Sequence, residues 1–597
     1  MMTQLFHLIF GNSFRILSVV FKLDLANKGK SLIYFGLLLI SIAAEVFSVL
    51  LVLPVINVIN QKIGEDIISN FIINLDFVFN WSDSDKVISV LVIVFLAIIF
   101  KNTYLAYFTF YQYNFFISVQ EKLSSTLLSI YSHQPYIFHL KKDSSTLIRN
   151  IIDETSLFRT HAITPLFSFF AEALVFVGIV GILLFQEPMI TLVIISLIFT
   201  LFYLFNFFTR VRLLRWGQER QVVEKDRLKS AQEIFLGIKD LIIYNKISEF
   251  TRKYRRFNQR SLRIARNLIY IGVLPKLILE TLAILAVVTA IILMIASGNE
   301  LKSILSLLGL FAASSYRLFP SINSLAASYQ NLVTSSSLVN SVEADLNLNL
   351  NGSEIVSGQI SFKQELQLSK IFFQYPESDK AALRNISFKI KKGEMIGIVG
   401  RSGSGKSTLV DLLLGLFSAQ SGEILCDGKV VNDFSSWRRL IGYVPQSIFL
   451  TDDTIKNNIT LSPDLDSNRV EALKRSIEQA QLINVLSDLP DGIDTIIGER
   501  GVRLSGGQRQ RIGIARALFN DPEILILDEA TSALDTATEM DFVNSIEGLH
   551  KSKTIIIIAH RLTTVRNCDR IYEIDDGKIV RIGKPSEILN LAENIKN

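Results

Sequence analysis

The chain has 597 residues, 49% of them hydrophobic and 20% charged, with a formal net charge of +5. A mean hydropathy of +0.36 is too apolar for a water-soluble protein of ordinary charge. The small positive excess is accounted for by membrane topology and makes no case for nucleic-acid binding, and two cysteines, Cys426 and Cys568, imply neither a disulfide framework nor a metal site.

Residues 1 to 30 lack a signal-peptide cleavage pattern and read as a cytoplasmic lead-in, with Leu5 to Phe10 a short amphipathic stretch lying on the inner membrane surface. A membrane domain is expected over 31 to 333, because six apolar stretches each meet the spanning requirement of roughly 20 residues. They are Ser31 to Ile56, Val87 to Phe116, Ile163 to Phe185, Met189 to Thr209, Leu268 to Ala296 and Ile304 to Leu332. Charge sets their orientation. Arg210 to Asn267 carries 16 Lys/Arg against 6 Asp/Glu, whereas Asn57 to Lys86 carries 2 against 5, so the former segment is expected in the cytoplasm. An even number of spans then places the N-terminus inside as well. Between the first two spans, Ile68, Phe71, Ile72, Leu75, Val78 and Phe79 recur at helical spacing beside Trp81, predicting an external amphipathic helix.

Thr334 to Gly358 shifts in composition, with Ser335 to Ser337 followed by alternating Asn and Leu, and reads as a linker over 334 to 358. An α/β phosphate-loop domain follows over 359 to 597. Its first signature is GRSGSGKST, comprising Gly400, Arg401, Ser402, Gly403, Ser404, Gly405, Lys406, Ser407 and Thr408, between an apolar run at Met395 to Val399 and a helical pattern at Leu409 to Leu414. Glycines let backbone N–H groups approach phosphate oxygens, the helix N-terminus adds positive potential, and Lys406 neutralises the β- and γ-phosphates. Ser407 is the expected Mg²⁺ ligand. A second apolar run, Ile524 to Leu527, ends in Asp528 and Glu529. Asp528 is expected to hold Mg²⁺ through its water shell, and Glu529, pointing elsewhere, to act as general base on the attacking water.

With these motifs the chain resembles the ATP-binding cassette (ABC) family, and the resemblance supplies further expectations. Tyr375 occupies the place of the adenine-stacking aromatic. Gln446, in YVPQ, matches the glutamine that senses Mg²⁺ and the membrane domain. Leu504 to Gln508 is LSGGQ, so Ser505, Gly506, Gly507 and Gln508 match the signature loop that contacts ATP held by a partner subunit. Asp535, in SALD, matches the loop crossing the dimer interface, and His560, in IIIIAH, the histidine that touches the γ-phosphate. Glu499, in GERG, resembles a loop of exporters. The implied fold is a six-span α-helical transmembrane domain followed by an α/β cassette, with ATP and Mg²⁺ as cofactors. One phosphate loop and one signature loop per chain imply a homodimer, and Leu140 to Ile148 and Gln232 to Leu241 sit where such exporters place coupling helices.

Cargo must be argued from charges inside the spans, which are costly in lipid. Lys101, Arg317 and Lys276 lie about 21, 20 and 30 Å below the outer ends of their spans at 1.5 Å per residue. Doubled by symmetry they form a basic belt suited to an anionic headgroup, unless Lys276 pairs with Glu280 one turn on and Lys101 snorkels or lies on a helix leaving the bilayer. SSYRLFPSIN (Ser314 to Asn323), GIKD, DDTIKNNI (Asp452 to Ile459) and the external helix resemble the lipid-linked-oligosaccharide and lipid A flippase group. The expected activity is ATP-driven flipping or export of a lipid or other amphipathic substrate across the inner membrane. The alternative is a multidrug or peptide exporter.

Overall fold

The structure is a computed structural model and describes residues 13–23, 28–51, 83–186, 188–296, 301–348, 360–376, 378–462, 464, 466–498, 501–530, 539, 546–559 and 562–588. The expected lead-in at Leu5 to Phe10 and the expected external helix over 68–81 lie outside these residues. The chain divides into two compact units, Met1–Gln134 with Lys141–Leu350 and Pro135–Leu140 with Asn351–Asn597.

The first unit is helical. After α1 (13–23) come α2 (Lys28–Leu50), α3 (Asp83–Ser132), α5 (Ser144–Arg149), α6 (Thr164–Gln186), α7 (Pro188–Leu236), α8 (Ile238–Ile243), α9 (Ile247–Ala296), α10 (Leu301–Thr334) and α11 (Ser336–Leu346). A short α4 (Tyr136–Lys141) falls largely in the second unit. Helices α3 and α9 are 50 residues long. At 1.5 Å per residue that is roughly 75 Å, more than twice a hydrocarbon core, so each continues well beyond any bilayer it crosses. Among the described residues three stretches are long and apolar enough to span: Leu32–Leu50, Val87–Ser132 and Ser144–Phe185. The other three stretches read as spans from the sequence lie on α7, α9 and α10.

Packing between α2, α3 and α6 is carried by aromatic rings. Tyr34 is fully buried, stacks on Phe115 at 5.0 Å and meets Phe167 edge-on at 5.3 Å, while Gln112 Nε2 donates to its hydroxyl at 2.9 Å. The polar end of the ring is thereby satisfied in apolar surroundings. A Cβ on Gly178 of α6 would lie 2.6 Å from Val46 Cγ2 of α2, so only glycine permits this approach of the two helices. Between α5 and α6 the helix widens into two π-turns, Asn150–Glu154 and Arg159–Ile163.

In the second unit, β3 (Met395–Val399), β7 (Ile524–Asp528) and β8 (Thr554–Ile558) are buried throughout, as central parallel strands covered on both faces must be. They belong to a six-stranded sheet ordered β10-β9-β3-β8-β7-β6, with β6 at Ile441–Val444, β9 at Arg570–Asp575 and β10 at Lys578–Gly583. Strand pairs from β9 to β6 are parallel, and β10 is antiparallel to β9. Alternate side chains divide between two cores. Leu525, Leu527, Ile555 and Ile557 pack with Ile512 and Ile514 of the signature helix α14 (Gly506–Leu518), whereas Ile524, Ile526, Ile556 and Ile558 pack with Leu409 and Leu412 of α12 (Lys406–Leu413). This second core is closed by a four-stranded antiparallel sheet, β2-β1-β4-β5, with β1 at Glu365–Gln374, β2 at Ala381–Lys391, β4 at Ser421–Cys426 and β5 at Lys429–Val430. A further helix, α13 (Val470–Gln479), buries Leu473 and Ile477 in the first core.

Candidate nucleotide site and membrane charge cluster

The phosphate loop connects β3 to α12 as the sequence requires. Gly405 caps the helix at φ +105°, and a Cβ there would lie 2.6 Å from the Ala382 carbonyl, so the turn excludes any side chain. Lys406 is buried, and its ammonium donates to the carbonyls of Gly400 and Arg401, both at 2.9 Å. Burial pushes its ammonium below the ordinary lysine range, while the charges of Glu529 and Asp528 oppose that shift. The buried Ser404 Oγ has no hydrogen-bond partner. Such an orphaned donor in a glycine-built turn, beside a captive ammonium, fits a phosphate group. Tyr375 is half-buried; its hydroxyl meets Thr408 Oγ1 at 3.1 Å, and its ring packs edge-on against Phe373 and Phe417.

Strand β8 separates β3 from β7, so the loop and the acidic pair leave the same sheet edge two strand spacings, roughly 10 Å, apart. Asp528 is buried at the end of β7 and accepts from Tyr443 Oη on β6 at 3.3 Å. Asp411 of α12 is pushed up to about 6, by burial first and the Asp528 charge second. The Tyr443 phenol is pushed up by burial and by the same two carboxylates. The charge of the buried Asp528 beside the part-buried Asp411 favours a cation near them. Among the described residues no three His, Cys, Asp or Glu are placed to hold a metal by themselves.

Glu529 has a left-handed backbone, φ +49°, an uncommon conformation for a residue with a side chain. Its N–H is fixed by the Ile558 carbonyl of β8 at 2.9 Å, and its carboxylate accepts from Gln446 Nε2 at 2.5 Å. Gln446 follows β6, the strand beside β7. The structure therefore joins Lys406, Gln446, Asp528 and Glu529 into one electrostatic group. Asp535, His560 and Glu499 lie outside the described residues.

In the signature motif Ser505 is the N-cap of α14: its Oγ accepts from the Gln508 N–H at 3.2 Å, and its own N–H donates to Gln508 Oε1 at 2.8 Å. This reciprocal capping box fixes Gly506 and Gly507 as the first turn of a 13-residue helix. Further along α14, Arg516 donates to the carbonyls of Phe449 at 2.8 Å and Asn458 at 2.7 Å, tying the signature helix to the segment that follows Gln446.

In the membrane unit the cationic residues are paired. Arg317 Nε donates to Glu45 at 2.8 Å and its NH2 group lies 3.5 Å from Glu172, while Lys101 lies 3.9 Å from Glu45. The group joins α10, α2, α6 and α3. All four side chains are only 19–21% exposed. Lys276 is apart from them, exposed on α9 and 3.8 Å from Glu280. Neither Glu45 nor Glu172 was singled out from the sequence, although each is a solitary acid inside an apolar run.

Around the expected coupling segment Leu140 to Ile148, helix α4 begins directly after Pro135, a residue preorganised for a helix start, and α5 follows over Ser144–Arg149. Tyr136 packs on Phe417 at 5.7 Å and Ile137 joins the core between the two sheets of the cassette unit. The second expected segment, Gln232 to Leu241, contains the break at Gly237 between α7 and α8, and Phe235, Leu236, Ile242, Ile243 and Tyr244 are all exposed there.

These elements define a nucleotide-binding cassette carried in one chain with a helical membrane region. Comparison with known proteins agrees: residues 31–319 match the ABC transporter transmembrane region and residues 383–532 match the ABC transporter family. The ATP-dependent lipid A-core flippase of Vibrio vulnificus is 30% identical over 474 residues, 77% of this chain and 79% of that protein. The flippases of the same name from Photobacterium profundum and Pasteurella multocida are each 43% identical, over 38% and 42% of this chain; the match spans only 39% and 42% of their own lengths. A bacterial Atm1-family ABC exporter, solved with ATP bound, has the same fold, with a TM-score of 0.79 at 20% identity over 95% of this chain and 96% of that one. The chain belongs to the ABC transporter family.

Proposed function

We propose that this chain is one half of a homodimeric exporter that uses ATP to move a lipid or lipid-linked oligosaccharide from the inner to the outer leaflet of the inner membrane. The observation that carries the energy-coupling part is the contact of Gln446 with Glu529 at the sheet edge that also presents Lys406. In this reading the Gly400 to Thr408 loop and Lys406 hold the phosphates, Tyr375 stacks on the adenine, and Ser407, Gln446 and Asp528 hold Mg²⁺. The bound ion supplies neutralisation of phosphate charge. Glu529 accepts the proton of the attacking water, with Gln446 orienting its carboxylate and His560 completing the site. Ser505 to Gln508 and Asp535 face the nucleotide of the second subunit, since one loop and one signature per chain complete a site only in pairs. The exposed apolar tip around Phe235, Leu236, Ile242, Ile243 and Tyr244 supports such pairing, because a patch of this kind favours a protein partner.

Six spans, with the N-terminus and cassette in the cytoplasm, follow from the apolar stretches and the positive-inside distribution. The names of the relatives support a lipid cargo; Arg317 and Lys101, paired with Glu45 and Glu172, meet its headgroup only where those carboxylates withdraw, and Lys276 lies nearer the inner leaflet. Glu529→Gln tests the chemistry. In nanodiscs, ATP turnover falls about 10²- to 10⁴-fold, the range for loss of a general base, while binding of a fluorescent ATP analogue persists. Unchanged turnover would remove Glu529 from the mechanism.

A further inference from the structure

The helix that follows the last membrane helix, α11, carries a buried acid with an unusual set of partners. Asp345 is 7% exposed, yet its carboxylate accepts from Tyr131 Oη at 2.7 Å, Asn150 Nδ2 at 3.0 Å and Lys142 Nζ at 3.1 Å. Tyr131 is 3% and Asn150 5% exposed. The donors come from both sides of one loop: Tyr131 lies at the end of α3, four residues before the segment Pro135–Leu140 that belongs to the cassette unit, and Lys142 and Asn150 lie two and ten residues after it. Asp345 itself stands near the end of the membrane unit at Leu350, where the chain leaves for the cassette. One carboxylate thus binds the two covalent strands that carry the docking segment and the helix that leads into the linker.

The clasp is anchored further. Asn150 opens a π-turn, a local widening that often marks functional positions in helices. Its neighbour Arg149, 9% exposed, bonds Glu154 at 3.1 Å and the Gln221 carbonyl of α7 at 3.1 Å, so the loop base is fixed to α7 as well. Such a network is satisfied only when α3, the π-turn, α7 and α11 hold one arrangement, because a buried carboxylate separated from its donors is costly.

We propose that Asp345 is a positioning residue for energy coupling: it locks the linker helix to the base of the docking segment, so that both connections between the two units move together. A nucleotide-driven displacement of the cassette is then passed to the membrane helices through two attachments at once. Without the clasp, the docking segment and the linker are displaced independently. This inference rests on the cassette's use of ATP, and the test separates the two.

The experiment uses the full-length chain in nanodiscs, with Asp345→Ala, the isosteric Asp345→Asn, and Tyr131→Phe, which removes a single oxygen. Binding of a fluorescent ATP analogue is measured first; its absence in the unmutated chain would count against the proposed function and not against the clasp. Hydrogen exchange is then followed with and without the non-hydrolysable analogue AMP-PNP and Mg²⁺. In the unmutated chain, AMP-PNP changes exchange in the cassette and in the cytoplasmic ends of α7 and α9. In Asp345→Ala, analogue affinity stays within twofold, α11 exchanges at least tenfold faster, and the AMP-PNP response of α7 and α9 is lost while that of the cassette remains. Asp345→Asn, which keeps an acceptor for Tyr131 but not the charge for Lys142, retains part of the response, as does Tyr131→Phe. Should Asp345→Ala not fold, these two variants carry the test. A full response of α7 and α9 in the folded variants would overturn the proposal.

Discussion

Replacing Arg317 with Met removes the centre of the membrane charge cluster and leaves two carboxylates facing one ammonium. At an effective dielectric of 20, unit charges separated by the observed 2.8 and 3.5 Å attract by about 6 and about 5 kcal/mol. Most of that attraction repays the cost of taking the groups out of water, so the net value of the intact cluster is small. Breaking it is different, because among the described residues Glu172 loses its cation Arg317 and Glu45 keeps Lys101 at 3.9 Å. Loss of one partner from a buried pair costs about 3–5 kcal/mol, whereas replacing all partners by apolar groups of similar shape is close to neutral. Arg317→Met should therefore lower the thermal midpoint of the nanodisc-embedded protein, followed by near-ultraviolet circular dichroism. Adding Glu45→Gln and Glu172→Gln should restore most of the loss, even though three native residues are then missing. Lys101 then remains as an isolated cation, and Lys101→Met in the same background should complete the recovery. A single Arg317→Met variant as stable as the unmutated chain, or a triple variant less stable than the single one, would refute this account of the cluster.

Two further outcomes follow from the cassette. Ser505→Ala deletes the oxygen that caps α14 and should cost about 1 kcal/mol, with faster amide exchange over residues 506–510 and near-normal behaviour in Ser505→Thr; unchanged exchange in the alanine variant would show that the cap contributes nothing. Burial pushes the Cys568 thiol up to about 12 and the Cys426 thiol up to about 11, so at pH 8 about one in 10³ or fewer is thiolate, against about one in four for an ordinary exposed thiol. Neither should react with N-ethylmaleimide in the folded chain, and both should in denaturant; rapid labelling of the native protein would contradict the burial. The sign for stability follows: above about pH 9 the unfolded chain releases these protons while the folded chain retains them, so stability declines as pH rises through that range.

The nucleotide site was largely legible because its chemistry is local in sequence. A phosphate loop requires glycines at fixed spacing between a buried strand and a helix, and β3, Gly405 and α12 occupy those places. The acidic pair was legible for the same reason, since the fully apolar Ile524 to Leu527 predicts a strand buried on both faces. Tyr443 was not visible as the partner of Asp528, because an aromatic at an alternating strand position reads as ordinary packing; its role depends on β6 lying beside β7, a pairing of segments 85 residues apart. The start of α4 was not read for a different reason: Pro135 with the apolar Tyr136 and Ile137 was a usable helix signal, but this segment was considered by its position between spans and not by its own residues.

The intramembrane charges acquire another meaning once their partners are counted. Sequence reading gathered the cations alone and obtained a basic belt, since the acids that answer Arg317 stand 272 and 145 residues away along the chain. In the folded unit the charges of Lys101 and Arg317 are cancelled by those of Glu45 and Glu172. An anionic headgroup approaching this cluster meets no net positive field and must compete with two carboxylates already in place. Its binding to Arg317 is favoured only where Glu45 or Glu172 can withdraw, and these acids sit on α2 and α6, which also pack together where a Cβ on Gly178 would lie 2.6 Å from Val46 Cγ2. Under the proposed function, affinity of this cluster for an anionic cargo would then depend on the placement of α2 and α6, a property alternating access demands.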